Sequence, residues 1–289
     1  MRRMVMCALA LAMVVPGGMA ARAARDKSAE VLADARKAIG GEARLSAVKT
    51  IVATGKSRRQ MGQVQMSGEL EVAIALPDRY VRTQVDNIMG NSITREEGFN
   101  GSTLLERSVT PPGANIMIRF AGPEGDPDSE ASRQRRVQRH KNDLARLLVA
   151  WLLTAPSYAE AQFSYSGEAE SPDGKAHVFD VKGADGLAMR VFIDKETRRP
   201  LMLTFQGRPP MIRTRTARAS EQPAQGHNAA DAALPPMTEI QWFVDDFRKV
   251  GDLWLPHRMT QAADGKTIEE WEFSRIVVNE PIKDDRFKS

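Results

Sequence analysis

Chemistry needs titratable or nucleophilic side chains at set spacings, and this chain offers few. Its four histidines, His140, His177, His227 and His257, lie far apart, and none has a His or Cys partner at metal-ligand spacing. A lone histidine without a positioned partner reads as structural or solvated. Asp245 and Asp246 are adjacent, but neighbours on a strand point to opposite faces, so they cannot share a proton as a dyad. Asp246 is expected to pair with Arg248, two residues on along the same face. Glu269, Glu270 and Glu272 read as solvated outer-face or edge charges, and so do Arg95, Glu96 and Glu97. An enzyme would gain support if His257, Asp246 and Arg258 converged. The Gly-x-Ser-x-Gly elbow, the phosphate-binding loop, the dinucleotide glycine fingerprint and the His-Glu-x-x-His motif are missing. No catalytic residue, metal or cofactor is therefore expected.

What remains is apolar surface. The chain has 14 methionines and 4 tryptophans. Methionine fills gaps in any core and is also over-used where a surface accepts varied apolar ligands. Trp151, Trp242, Trp254 and Trp271 either line a cavity or form the core under a helix. The residues expected to line an apolar ligand cavity are Met66, Leu70, Val72, Leu144, Leu148, Trp151, Leu152, Trp242, Trp271 and Phe273.

The elements that must position these residues are mostly strands. Val31, Leu32, Ala35, Ala38 and Ile39 recur at helical spacing, and Gly40–Gly41 stops that helix. Strands are expected at Thr50–Arg59, Gln63–Ala75, Arg79–Val85, Ser92–Phe99 and Ser102–Ser108, with Asn100–Gly101 as a hairpin turn. Pro111–Asp128 is loop-like. A helix is expected over Glu130–Leu153, capped by Asp128 or Ser129, with Val137, Leu144, Leu147, Leu148, Trp151 and Leu152 on one stripe. Its first half is basic (Arg133, Arg135, Arg136, Arg139, Lys141), which suits a solvated face, anionic headgroups or an acidic partner. Four more strands follow, at Ala161–Glu168, Ala176–Lys182, Ala188–Asp194 and Leu201–Gln206. Arg208–Pro236 has no apolar period and reads as an inserted flexible loop, with Arg213, Arg215 and Arg218 as solvated charges. Three final strands, Thr238–Val250, Leu253–Ala262 and Lys266–Asn279, turn at Gly251–Asp252 and Asp264–Gly265. In the last, Thr267, Trp271, Phe273 and Val277 are expected to share one face.

These last fifty residues, "DDFRKVGDLWLPHRMT", "DGKTIEEWEFSRIVVNEPI" and a terminal "DDRF", resemble periplasmic outer-membrane lipoprotein carriers, the LolA/LolB-like family. The entry "AIGGEARLSAVKTIVATG" is similar to that family's passage from first helix to first strand. The resemblance implies a mainly β (α+β) fold, a strongly curved antiparallel sheet or half-open barrel with helices across its concave face. It implies no enzyme, but a binding and carrier protein for a hydrophobic ligand such as an acyl chain. The same scaffold also resembles envelope interaction or sensor modules with a membrane-protein partner and no lipid cargo.

The N-terminus fits that compartment. Arg2–Arg3, an apolar run Met4–Val15 and the small residues around Ala21–Arg22–Ala23 read as a cleavable signal peptide, residues 1–23. Twelve apolar residues fall short of the ~20 that span a bilayer. Cys7, the only cysteine, lies inside that run, so the mature chain has no thiol. Loss of Arg2, Arg3 and Arg22 brings the formal charge from +4 to +1, which gives no argument for nucleic acid. Residues 24–289 are expected to form one periplasmic, monomeric half-barrel domain.

Overall fold

The computed structural model describes residues 17–61, 64–88, 91–109, 116–120, 129–171, 174–209, 212–216 and 236–288. Residues 1–16 of the expected signal, His227 and most of the inserted loop lie outside them.

The strands in chain order are β1 (Thr50–Met61), β2 (Val64–Ala75), β3 (Arg79–Ile88), β4 (Asn91–Asn100), β5 (Thr103–Val109), β6 (Ile116–Phe120), β7 (Gln162–Ser171), β8 (Gly174–Lys182), β9 (Ala188–Asp194), β10 (Pro200–Gly207), β11 (Ile212–Thr216), β12 (Thr238–Val250), β13 (Leu253–Ala263) and β14 (Lys266–Val278). Twelve form one sheet in the order β5-β4-β3-β2-β1-β14-β13-β12-β10-β9-β8-β7. Its neighbours are antiparallel, and the chain's first and last strands meet at its centre. β6 and β11 form a separate two-stranded ribbon. The two segments that read as plain loops thus each contribute a strand, and the absence of an apolar period in the sequence gave no sign of it.

The sheet is rolled. β4 and β8 stand nine strand positions apart, which in a flat sheet would be roughly 43 Å at the usual ~4.8 Å spacing. Yet one short turn, Ser157–Ala159, reaches both wings. Tyr158 packs edge-on against Phe99 of β4 at 6.4 Å. The Ala159 carbonyl accepts from the Ala184 N–H, just past β8, at 2.8 Å. Glycines permit the curvature. A Cβ on Gly55 would lie 2.0 Å from the Glu272 carbonyl oxygen, and one on Gly68 2.0 Å from that of Val85. No side chain fits where neighbouring backbone comes so close.

Helix α3 (Glu130–Leu152) fills the hollow. Ser129 caps it, its hydroxyl accepting from the Ser132 N–H at 3.3 Å. Helix α1 (Gly17–Ile39) packs Val31, Ala35 and Ile39 into the same core, against β7 and β13. The short helix α2 (Glu42–Ser46) follows. No helix among the described residues is long and apolar enough to cross a membrane.

Strand β14 departs from the simple alternation. Its register shifts opposite Thr54/Gly55 and again opposite Gln261/Ala262. Each bulge adds a residue and inverts the faces beyond it. Trp271 and Phe273 stay inward as expected, but Ile276 is buried in place of Val277, and Thr267 is exposed.

Candidate functional site

The inner face of the rolled sheet gathers the expected site residues, and it has two halves. The apolar half is built by α3. From Leu144 to Leu153 every residue but Arg146 is buried, so this stretch is apolar all round and belongs to the core. Leu144, Leu148, Trp151 and Leu152 lie in one cluster with Leu70, Val72 and Phe273. The Trp151 ring stands edge-on to Phe273 at 5.5 Å, and its indole N–H donates to Met259 Sδ at 3.1 Å. A chain of rings continues through Phe273–Trp271 at 6.2 Å, Trp271–Trp242 at 6.2 Å and Trp242–Phe205 at 5.5 Å. Met66 is buried too, outside this cluster. Trp254 stands apart, half-buried on the outer face.

The structure thus gathers all ten expected ligand-site residues inside, but with little space between them. A cavity of about 10 Å³ lies among Trp242, Met259, Gln261, Glu269 and Trp271. That is room for roughly one water molecule. The Trp242 indole N–H, which lines it, is buried without a hydrogen-bond partner.

The ionic half corrects the sequence reading. Glu269 is 4% exposed and Arg59 is likewise 4% exposed, and they pair at 2.6 Å across β1 and β14. Gln84 bridges onward: its amide oxygen accepts from both Arg59 and Arg95 at 3.0 Å, and its amide nitrogen donates to Glu269 at 2.9 Å. Arg95 also pairs with Asp86 at 3.1 Å and Glu97 at 3.5 Å, and Arg82 pairs with Glu97 at 2.6 Å. Arg82 lies 5.5 Å from the Trp271 ring, joining the two halves. On β2, Gly68 lies between Met66, which is opposite Arg59, and Leu70, which is opposite Gln84. Glu269, Arg95 and Glu97 are therefore not solvated. The signal was present: Glu269 stands two residues from Trp271, Glu97 two from Phe99 and Arg82 two from Tyr80, which is the spacing of one strand face.

Burial would raise the Glu97 carboxyl, but Arg82 and Arg95 outweigh it and hold it down at about 2. Glu269 is likewise opposed by burial, yet held at about 2 by the charges of Arg59 and Arg82. Burial lowers Arg95 to about 10 against the pull of Glu97, so it stays charged at neutral pH. Carboxylates this acidic are poor proton acceptors near neutrality, so the cluster fastens strands and suits no general-base role.

The histidines find separate places. The His140 ring nitrogen lies 3.4 Å from Glu106, which also faces Arg136 at 3.5 Å and Arg139 at 3.8 Å. This ties the basic first half of α3 to edge strand β5. His177 is buried between the Tyr165 hydroxyl, at 3.4 Å, and Arg198, which donates to its Nε2 at 2.9 Å. His257 Nδ1 lies 3.1 Å from the Leu255 carbonyl. Asp246 pairs with Arg248 through two bonds, as expected, while Arg258 lies 3.8 Å from Asp245. His257, Asp246 and Arg258 thus have separate first partners. Among the described residues no three His, Cys, Asp or Glu side chains gather as a metal site. At the far end of α3, Arg36 of α1 donates to the Leu153 carbonyl through Nε at 3.1 Å and Nη2 at 2.9 Å.

No family model matches the chain, and no curated protein matches it. In three dimensions it is similar to a LolA superfamily protein from Nitrosomonas europaea, at 8% identity, with a TM-score of 0.49 and 91% of this chain and 98% of that one covered. It is also similar to a DUF1329 family protein from Desulfovibrio piger, at 8% identity and a TM-score of 0.47, covering 91% and 96%. A third likeness is to an outer membrane lipoprotein-sorting protein domain from Vibrio parahaemolyticus, at 12% identity and a TM-score of 0.44, covering 91% and 96%.

Proposed function

We propose that the chain is a non-catalytic binding protein, exported to the periplasm, that shelters an apolar molecule such as an acyl chain beneath α3 and hands it on. One observation carries this reading: the hollow of the rolled sheet is occupied by the all-round apolar segment Leu144–Leu153. The contacts it makes with Leu70, Val72, Trp271 and Phe273 are ones that hydrocarbon can replace. A cavity of about 10 Å³ cannot hold an acyl chain, so binding and displacement of α3 must be one event. Pulling this segment out with nothing in its place would cost on the order of 10 kcal/mol, at about 1.5–3 kcal/mol for each large side chain. That is comparable with the whole stability of a domain, so empty opening is rare and ligand must drive it.

The filled interior favours a second reading, an envelope interaction or sensor module whose core never opens. Native mass spectrometry on mature protein purified without detergent, with organic extraction, separates them. A co-purifying apolar molecule, or uptake of a fluorescent fatty acid with loss of α3 amide protection, supports the carrier. An empty species that takes up no fatty acid overturns it in favour of the interaction module.

A further inference from the structure

The outer face of β10, β12 and β13 carries aromatic side chains around a cation. The Arg199 guanidinium lies 4.2 Å from the Trp254 ring centroid and 5.5 Å from that of Phe247. Its Nε is buried without an acceptor, and the residue as a whole is half-buried. Among the described residues Arg199 makes no ion pair, and neither does Lys249, which is exposed and directly opposite Trp254 in register. The nearby acids do not neutralise them. Asp245 faces Arg258, Asp246 holds Arg248, and the exposed Glu196 pairs with neither cation. Four large apolar side chains are well exposed among the described residues, and two of them border this patch, Leu201 at 41% and Phe243 at 39%. They sit on neighbouring strands one register step apart, since Phe243 faces Met202.

These features suit a protein contact. Aromatic residues and arginine dominate the energetics of interfaces. A guanidinium laid flat on an indole keeps its in-plane donors free, and it is already ordered, so little side-chain entropy remains to be lost. Two uncompensated cations beside aromatic rings call for carboxylates set next to apolar side chains. We propose that this patch docks a partner protein through a segment in which an Asp or Glu stands beside a large apolar residue, the carboxylate meeting the Arg199 fork and the apolar side chain resting on Phe243 and Leu201. The proposal does not rest on the carrier reading, because Trp254, Leu201 and Phe243 lie outside the core cluster that surrounds α3.

The test uses short fluorescent peptides with Asp or Glu beside Leu, Phe or Trp, and Gln copies as controls, titrated against the full mature chain. The acidic peptides are expected to bind at least about tenfold more tightly than the Gln copies, as charge-assisted hydrogen bonds imply. Arg199→Ala is expected to lose about the same factor, and Arg199→Lys most of it, because the fork is gone while the charge remains. Phe243→Ser, at an exposed position, is expected to weaken binding with Tm unchanged. Equal binding of acidic and Gln peptides, no binding, or binding unaffected by Arg199→Ala with Tm intact would each overturn the proposal. So would a self-association that Phe243→Ser abolishes and acidic peptides do not compete with, since the patch would then serve a second copy of the chain. Fatty-acid uptake is read separately, so failure of the patch and failure of the carrier reading are distinguishable.

Discussion

The two halves of the inner face are both largely buried but held by opposite means. Around Trp151 the contacts are apolar, numerous and non-directional. Around Arg59 and Glu269 they are few, charged and fixed in geometry. Apolar contacts can be exchanged for other apolar contacts at small net cost, whereas a buried ion loses several kcal/mol when its partner leaves, about 3–5 kcal/mol in measured pairs. The contrast divides labour between an apolar half that can yield to a ligand and an ionic half that holds β1, β3, β4 and β14 in place while it does.

Truncating the apolar half should have the largest effect. Trp151→Ala is expected to cost about 3–5 kcal/mol in urea unfolding, since it removes an indole from a packed core. Under the carrier reading the same variant should take up fatty acid more readily than wild type. In the ionic half, Glu269→Leu alone should cost about 3 kcal/mol by removing the carboxylate that faces the buried Arg59, whereas Arg59→Met with Glu269→Leu should recover most of the loss. Additive losses in that double variant would show that the two halves do not differ in kind.

Acid should strike the ionic half first. The folded carboxyls of Glu97 and Glu269 sit at about 2, below their ordinary value of 4.5. Their contribution is therefore fully present above pH 4.5 and is lost as pH falls from there towards 2. Unfolding free energy followed over that window should drop steeply in wild type and less steeply in the double variant. A smaller effect is expected from His177, whose folded pKa is lowered by burial first, then by Lys195 and Arg198. It is held neutral in the fold, so its contribution is present above the ordinary histidine value and declines as pH falls through it. Wild type should lose more stability than His177→Gln between about pH 7 and pH 5. Least is expected from Arg139→Ala, whose partner Glu106 is shared and partly exposed, at under about 1 kcal/mol.

The strands and α3 were legible in the sequence because period two and period 3.6 show wherever one face is wet. The inward-facing apolar residues of α3 and of the C-terminal strands were legible for the same reason. What the sequence hid follows from long-range geometry. Arg59 and Glu269 lie 210 residues apart, and nothing local tells that two charges will meet inside. Only the alternation through Ser57 to Arg59 and Trp271 to Glu269 pointed inward. The bulges of β14 were hidden too: one stands where Gly55 meets the Glu272 backbone, the other opposite Gln261 and Ala262. The stacking of Arg199 on Trp254 joins a turn to a strand across 55 residues, beyond any local pattern.

The meeting of the first and last strands at the middle of the sheet has a consequence in time. Ile51 pairs with Val278, so the seam that joins the two wings cannot close until nearly the whole chain has been delivered. Before that, β1 is an unpaired edge and the hollow has one wall. A chain fed out from its N-terminus therefore spends its delivery with that edge open, when holdases and proteases compete for it. Clipping the last hairpin would remove no part of α3, yet would leave the protein in that half-built state.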